Sequence, residues 1–303
     1  MTKRKILIDT DPGIDDVLAI ATAYCIDSLD IVALSSVKGN VSLEYTTRNA
    51  ILTLDILKQN TPVYKGSKEP LVNSPVRNSN VHGSDGLGNL YDSYREATPP
   101  LDRKTGGLYD LAEYISQSED KITIIAIGPL TNIAKLLMID PHLNEKIEAI
   151  YIMGGGLKKG NVTDLAEFNF YCDAYAAQKV LLSGIDIYLS ALDATTQVYF
   201  TYEEFDAYEV KNNKSEFIKK TLEYYINLDP YLHDVLAVLS LSDPHLFEFK
   251  KMNLNVLTSA DSANGMVYES ELKNNGNVYF VDVKSRENVV KRVFDIINTY
   301  NDR

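Results

Sequence analysis

The sequence predicts an α/β protein: an open, doubly wound, mostly parallel sheet flanked by helices, with extra C-terminal helices and a hairpin. Two observations carry that prediction. Short apolar runs lacking polar alternation recur through residues 5–192, as in strands buried on both faces of a parallel sheet. Amphipathic helical stretches separate them, which is the βαβ alternation of a doubly wound fold.

The strands are expected at 5–8, 31–37, 122–127, 149–153 and 185–189, and the helices between them at 15–25, 43–58, 107–116, 130–138 and 174–182. Polar and glycine-rich motifs follow the strands: Asp9-Thr10-Asp11, then Gly39-Asn40, Gly128-Pro129, Gly154-Gly155-Gly156 and Asp193. Ligands of open α/β sheets bind outside the carboxyl ends of the strands. The unusual residues are therefore expected along one edge. Residues 66–100, rich in Gly, Pro, Ser and Asn, and the charged, tyrosine-rich stretch 211–231 are expected to be mobile, the first as a cover over a site. Toward the C-terminus, 266–272 and 278–283 read as a hairpin turning at Asn274-Asn275-Gly276, followed by a helix over 287–300.

Composition narrows the function. The 303 residues are 45% hydrophobic and 24% charged, as in an ordinary globular chain with a sizeable core. A formal charge of −12 argues against nucleic acid as a partner, because phosphate binding needs basic surface. Cys25 and Cys172 make neither a disulfide framework nor a zinc site and read as reduced core residues. Only Ile6-Leu7-Ile8 follow the basic Lys3-Arg4-Lys5, too few for a signal peptide, and no apolar run reaches membrane-spanning length. No membrane partner and a cytoplasmic location are the expectation.

The most informative stretch is Ile6-Leu7-Ile8-Asp9-Thr10-Asp11-Pro12-Gly13-Ile14-Asp15-Asp16. Asp9, Asp11, Asp15 and Asp16 straddle a strand–turn–helix junction, and carboxylates so close repel unless a positive charge sits among them. A hard divalent cation fits, since Ca²⁺ and Mg²⁺ prefer such oxygens. Acidic residues in a first helical turn also complement the helix dipole, which accounts for one or two of the four. An EF-hand loop is excluded: Gly13 and Ile20 stand where its fifth ligand and its bidentate Glu belong.

On these residues the chain resembles the inosine–uridine-preferring nucleoside hydrolases. The likeness begins with Asp9-Thr10-Asp11-Pro12-Gly13-Ile14-Asp15-Asp16. It continues through Gly39-Asn40, Val81-His82-Gly83, Gly128-Pro129-Leu130-Thr131-Asn132, Met153-Gly154-Gly155 and Ala166-Glu167-Phe168-Asn169 to His233-Asp234, in the family's order. Val235 departs from the proline of some members, at a helix start rather than at a ligand.

The resemblance implies a single hydrolase domain over 1–303 that uses Ca²⁺ to split ribonucleosides into ribose and free base. It implies that Asp11, Asp16, Asp234 and the backbone carbonyl of Ile127 hold the metal, with Asp11 also the base toward water. Asp15 and Asn40 would take ribose hydroxyls, and Asn161, Glu167 and Asn169 the 5′- and 3′-hydroxyls, with Met153 and Phe168 lining the sugar pocket. Family members are homodimers or homotetramers.

The chemistry agrees with those residue types. Breaking an N-glycosidic bond builds positive charge on the sugar, which carboxylates and amide oxygens stabilise. A leaving base needs a proton, and His233 or His82 can carry one near neutral pH; each also reads simply as a helix-start or loop histidine. Tyr224, Tyr225 and Tyr231 read either as base-stacking residues or as the apolar side of a helix. His142 and His245 adjoin prolines and receive no role. Two rival readings compete: a Mg²⁺-dependent phosphatase of the haloacid-dehalogenase type, which also begins with a strand ending in Asp-x-Asp, and a non-catalytic Ca²⁺-dependent nucleoside-binding protein.

Overall fold

The computed structural model describes residues 3–72, 81–259, 261–273 and 276–302. Its strands are β1 (Arg4–Thr10), β2 (Leu29–Ser36), β3 (Val63–Lys65), β4 (Thr105–Gly107), β5 (Ile122–Ala126), β6 (Ile147–Met153), β7 (Asp186–Ser190), β8 (Phe247–Met252), β9 (Leu254–Val256), β10 (Val267–Glu269) and β11 (Asn277–Val283). Among the described residues, nine of these form one sheet in the order β4-β3-β2-β1-β5-β6-β7-β11-β8. All neighbours run parallel except β11 and β8.

Alternation of side chains explains why the strands read as continuous apolar runs. In central β1, Ile6 and Ile8 enter the core on one face of the sheet and Leu7 enters the core on the other. Burying each such side chain stabilises the fold by about 1.5–3 kcal/mol. The five strands and five helices expected through residue 192 are all present, with ends shifted by a residue or two.

The strand order reverses between β1 and β5, making a topological switch point there. The backbone N–H of Ile127, just past β5, donates to the Asp9 carbonyl at 2.8 Å, so the two loops leave the sheet side by side. Asp11 and Ile127 thus emerge at the place where open α/β sheets hold ligands.

Three expectations are corrected. The 266–272 segment pairs not with 278–283 but with Leu254–Val256, and this β9–β10 pair is the antiparallel hairpin of the fold. Asn277–Val283 instead joins the main sheet between β7 and β8; Asn274 and Asn275 of the expected turn lie outside the described residues. The 211–231 stretch is largely helix, Asn213–Tyr225, whose face of Phe217, Ile218, Thr221, Leu222 and Tyr225 is buried. Asn212 starts it, its Oδ1 accepting from the N–H groups of Lys214 and Ser215. Within 66–100, residues 73–80 lie outside the described residues, but Leu87 is fully buried and Tyr91–Ala97 is helical.

Candidate active site

The β1 strand ends at Thr10, Pro12-Gly13 turns the chain, and a helix runs from Ile14 to Tyr24. Asp16 sits in its first turn and performs the expected capping. Its Oδ2 accepts from the Gly13 N–H at 2.8 Å, while its Oδ1 accepts from the Asp11 N–H at 3.2 Å and from the Thr10 hydroxyl. Asp11 is held differently. Its Oδ2 accepts the Asn40 N–H at 2.7 Å, and its buried Oδ1 has no hydrogen-bond donor. A Cβ at Gly39 would lie 2.0 Å from Asp11 Oδ2, and one at Gly128 would lie 2.6 Å from Oδ1. Glycine at both positions lets the loops after β2 and β5 close around this carboxylate.

Asp234 reaches the same place from the other end of the chain. It precedes the buried helix Val235–Ser242 without capping it, so its carboxylate is turned to other use. One oxygen each of Asp15, Asp16 and Asp234 lie within 4.8 Å of one another. Burial, then the charge of Asp16, holds the Asp11 pKa well above the carboxylate range. Burial, then Asp15, Asp16, Asp11 and Glu167, does the same to Asp234. Burial and then Asp15 push Asp16 up to about 6, and burial raises Asp15 although His233 opposes it. Among the described residues, Lys and Arg form their ion pairs elsewhere. The close set of Asp15, Asp16 and Asp234 is an all-oxygen, mutually repelling cluster that fits a hard cation, and Asp11, outside that set, adds a buried carboxylate oxygen without a donor.

Above the cluster is a cavity of about 290 Å³, near the lower end of small-molecule sites. Asp15, Asn40, Ile127 and Asp234 form its carboxylate side, and Met153, Asn161, Glu167, Phe168 and Asn169 another wall. Glu167 does not lie on a surface loop, and the chain after it is not extended. It caps the short helix Phe168–Cys172, with Oε1 accepting from the Asn169 N–H (2.8 Å) and Oε2 from those of Phe170 (3.1 Å) and Gly155 (2.8 Å). The Asn169 Nδ2 donates to the carbonyls of Ile127 (3.0 Å) and Met153 (3.2 Å), joining the ends of β5 and β6. The Asn161 Oδ1 accepts the Phe168 N–H at 2.9 Å.

Two histidines face this cavity with opposite electrostatics. His82 Nδ1 accepts the Ile14 N–H at 3.1 Å, and burial lowers its pKa to about 4. The ring is therefore neutral near pH 7, and its 3.7 Å approach to Asp15 Oδ1 is not an ion pair. It stacks on Tyr225, centroids 5.4 Å apart, whose hydroxyl lies 3.4 Å from Asp15 Oδ2. His233 is also buried, which opposes its charge, but the hydrogen bond and charge of Asp229, with Asp15 and Glu167 behind, leave its pKa raised. Its Nε2 is 3.4 Å from Asp229 Oδ1 and its Nδ1 2.7 Å from Thr195 Oγ1.

The family model of the inosine-uridine preferring nucleoside hydrolases matches residues 6–295. The chain belongs to this family. The hydrolase is 35% identical over 264 residues to a non-specific ribonucleoside hydrolase, RihC, of Escherichia coli, covering 86% of each chain. It is 36% identical over 271 residues to a probable uridine nucleosidase 2 of Oryza sativa, covering 85% of this chain and 79% of that one. Among solved structures, a plant nucleoside hydrolase, the PpNRh1 enzyme, superposes with a TM-score of 0.87 at 28% identity, over 97% of this chain and 98% of the other. A purine-preferring ribonucleoside hydrolase from Gardnerella vaginalis shares the fold, with a TM-score of 0.87 at 24% identity over 99% of this chain and 100% of that one.

Family and fold make the protein a glycosidase of nucleoside metabolism with a metal-type carboxylate centre. The phosphatase reading fails on Asp9 as well. That residue would be its nucleophile, yet its carboxylate is fully buried and its Oδ1 accepts from Asn132 Nδ2 and the Ser35 hydroxyl.

Of the residues singled out in the hydrolase sequence, Asp15, Asn40, His82, Ile127, Met153, Asn161, Glu167, Phe168, Asn169, His233 and Asp234 line the cavity. Asp11 and Asp16 do not line it; they lie buried beneath. The sequence reading named Val81 only within its motif, missed Val162 and Asp229, and left Tyr225 unselected among three tyrosines. Only Asp229 carried a signal, its placement four residues before His233.

Proposed function

We propose that this hydrolase cleaves the N-ribosidic bond of ribonucleosides to free nucleobase and ribose, with Ca²⁺ as its metal. The observation that carries this reading is the convergence of Asp15, Asp16 and Asp234 beside a cavity walled by amides, carboxylates and histidines. Hydroxyl-rich sugar and heteroaromatic base demand those two kinds of wall. Asp11, Asp16, Asp234 and the Ile127 carbonyl would hold the cation. When bound, it supplies Lewis acidity toward a water and a charge for ribose hydroxyls.

Asp11 takes a proton from the attacking water. Its buried Oδ1, without a donor, is the atom suited to this. Asp15 and Asn40 bind ribose hydroxyls, and Asn161, Glu167 and Asn169 the 5′- and 3′-hydroxyls, against Met153 and Phe168. The surrounding carboxylates stabilise the positive charge that grows on the sugar. His233, held by Asp229, donates a proton to the leaving base, and His82 contacts the base as a neutral ring. Residues 1–303 act as one domain in a cytoplasmic homodimer or homotetramer. Two buried free cysteines agree with a reducing compartment, and among the described residues no helix is long and apolar enough to cross a membrane.

The test is a panel of ribonucleosides and one 2′-deoxynucleoside scored for free base, with and without chelator. Ribonucleosides should be cleaved only with the cation, and the deoxy substrate far more slowly. Asp11→Asn should lower turnover by about 10²–10⁴-fold while the protein stays folded. Release of phosphate from esters without base release, or binding without turnover in the wild type, contradicts the proposal.

A further inference from the structure

One buried amide ties the turn that carries the carboxylates to the loop that carries His82. Asn49 lies in the helix Leu43–Leu57, fully buried. Its Nδ2 donates to the Pro12 carbonyl at 3.1 Å and to the Asp85 carbonyl at 2.8 Å. Its Oδ1 has no hydrogen-bond partner, so the side chain serves as a double donor between two segments 73 residues apart along the chain, a separation given by the difference of their numbers. A second tie runs in parallel, from the Ile14 N–H to His82 Nδ1.

The loop is shaped to fit that seat. The Asp85 carboxylate accepts from the N–H groups of Leu87 (2.7 Å), Asn89 (2.8 Å) and Tyr91 (2.9 Å). Gly86, at φ +86°, passes so close that a Cβ there would lie 2.7 Å from Asn49 Nδ2 and 3.1 Å from the Pro12 carbonyl. Pro12 and Ile14 lie between Asp11 and Asp15-Asp16. Whatever fixes those carboxylates against their mutual repulsion also fixes the two groups on which the loop docks.

We propose that Asn49 is a positioning residue that couples the carboxylate turn to residues 81–91, so that cation binding and seating of the His82 loop favour each other. The inference rests on the calcium reading above. Linkage makes the coupling reciprocal: each event strengthens the other by the same factor, commonly about 5–150-fold.

Hydrogen–deuterium exchange of peptides covering 81–91, in chelator-stripped and calcium-loaded protein, tests it alongside calorimetric calcium affinity. In the wild type, calcium should slow exchange there by about 5-fold or more. Asn49→Ala should abolish that calcium response and weaken calcium binding by the same factor. Gly86→Ala disturbs the seat from the loop side, should do the same, and carries the comparison alone should Asn49→Ala not fold. A variant that exchanges faster in both states, with the calcium ratio of the wild type, overturns the coupling and leaves Asn49 a packing residue. Wild-type protein that binds calcium without slowing 81–91 also overturns it, with the proposed function standing. Wild-type protein that binds no calcium overturns both.

Discussion

Asp229 Oδ1 lies 3.4 Å from His233 Nε2, four residues ahead of it in sequence, and both residues line the cavity. Thr195 holds the other ring nitrogen at 2.7 Å, so the imidazole is fixed at both ends. A carboxylate that favours the protonated imidazole suits the proposed proton donor. His233→Ala should lower kcat on natural ribonucleosides by about 100-fold, and Asp229→Asn by about 10-fold, with KM little changed. On nitrophenyl riboside, whose leaving group departs without a proton, both variants should keep most of their activity. Equal losses on both substrates would show that the pair only shapes the pocket.

His82 predicts a pH effect on stability. Its folded pKa of about 4 lies below the ordinary value of 6.5, so between those values the unfolded chain binds the proton more readily. The neutral ring's contribution is complete above pH 6.5 and is lost as pH falls toward 4. His82→Asn keeps an acceptor for the Ile14 N–H but does not titrate. Thermal melts of both proteins from pH 7.5 to 4.5 should show the wild type losing its advantage as the pH falls. A constant gap across that range contradicts the assignment.

Asp55 predicts a large effect far from the chemistry. Its carboxylate is fully buried and meets Arg95 at 2.8 Å and Arg103, itself almost fully buried. Removing one partner strands a buried charge, so Asp55→Ala should cost about 3–5 kcal/mol. Urea unfolding measures it; a change below about 1 kcal/mol would mean that water reaches Arg103 unseen.

Much of this was legible in the sequence, for identifiable reasons. Buried parallel strands announce themselves as unbroken apolar runs, and motifs such as Gly128-Pro129 mark their ends. The start of the helix Val235–Ser242 was legible at His233-Asp234 but its extent was not, because it is apolar nearly all round and buried almost throughout, which erases the helical period. Strands β3 and β4, three residues each, are too short to show a pattern. The C-terminal hairpin was misassigned because Asn274-Asn275-Gly276 is a good turn signal, whereas pairing is decided by distant partners on β7, β8 and β9. In the site, the residues within named motifs were legible. Asp229 and Tyr225 were not, because their roles come from how the Asn213–Tyr225 helix and the segment after it pack over His82 and His233.

The central claim is that the carboxylates around Asp11 need a calcium ion to act on a ribonucleoside. The most direct measurement strips the protein with a chelator, adds calcium back in steps, and follows both melting temperature and release of free base. Activity should be absent in the stripped protein and return along one saturation curve with the rise in melting temperature, about 2.7 kcal/mol of stabilisation at 100-fold excess over Kd. Full activity in the stripped protein, or calcium that stabilises without restoring base release, contradicts the account.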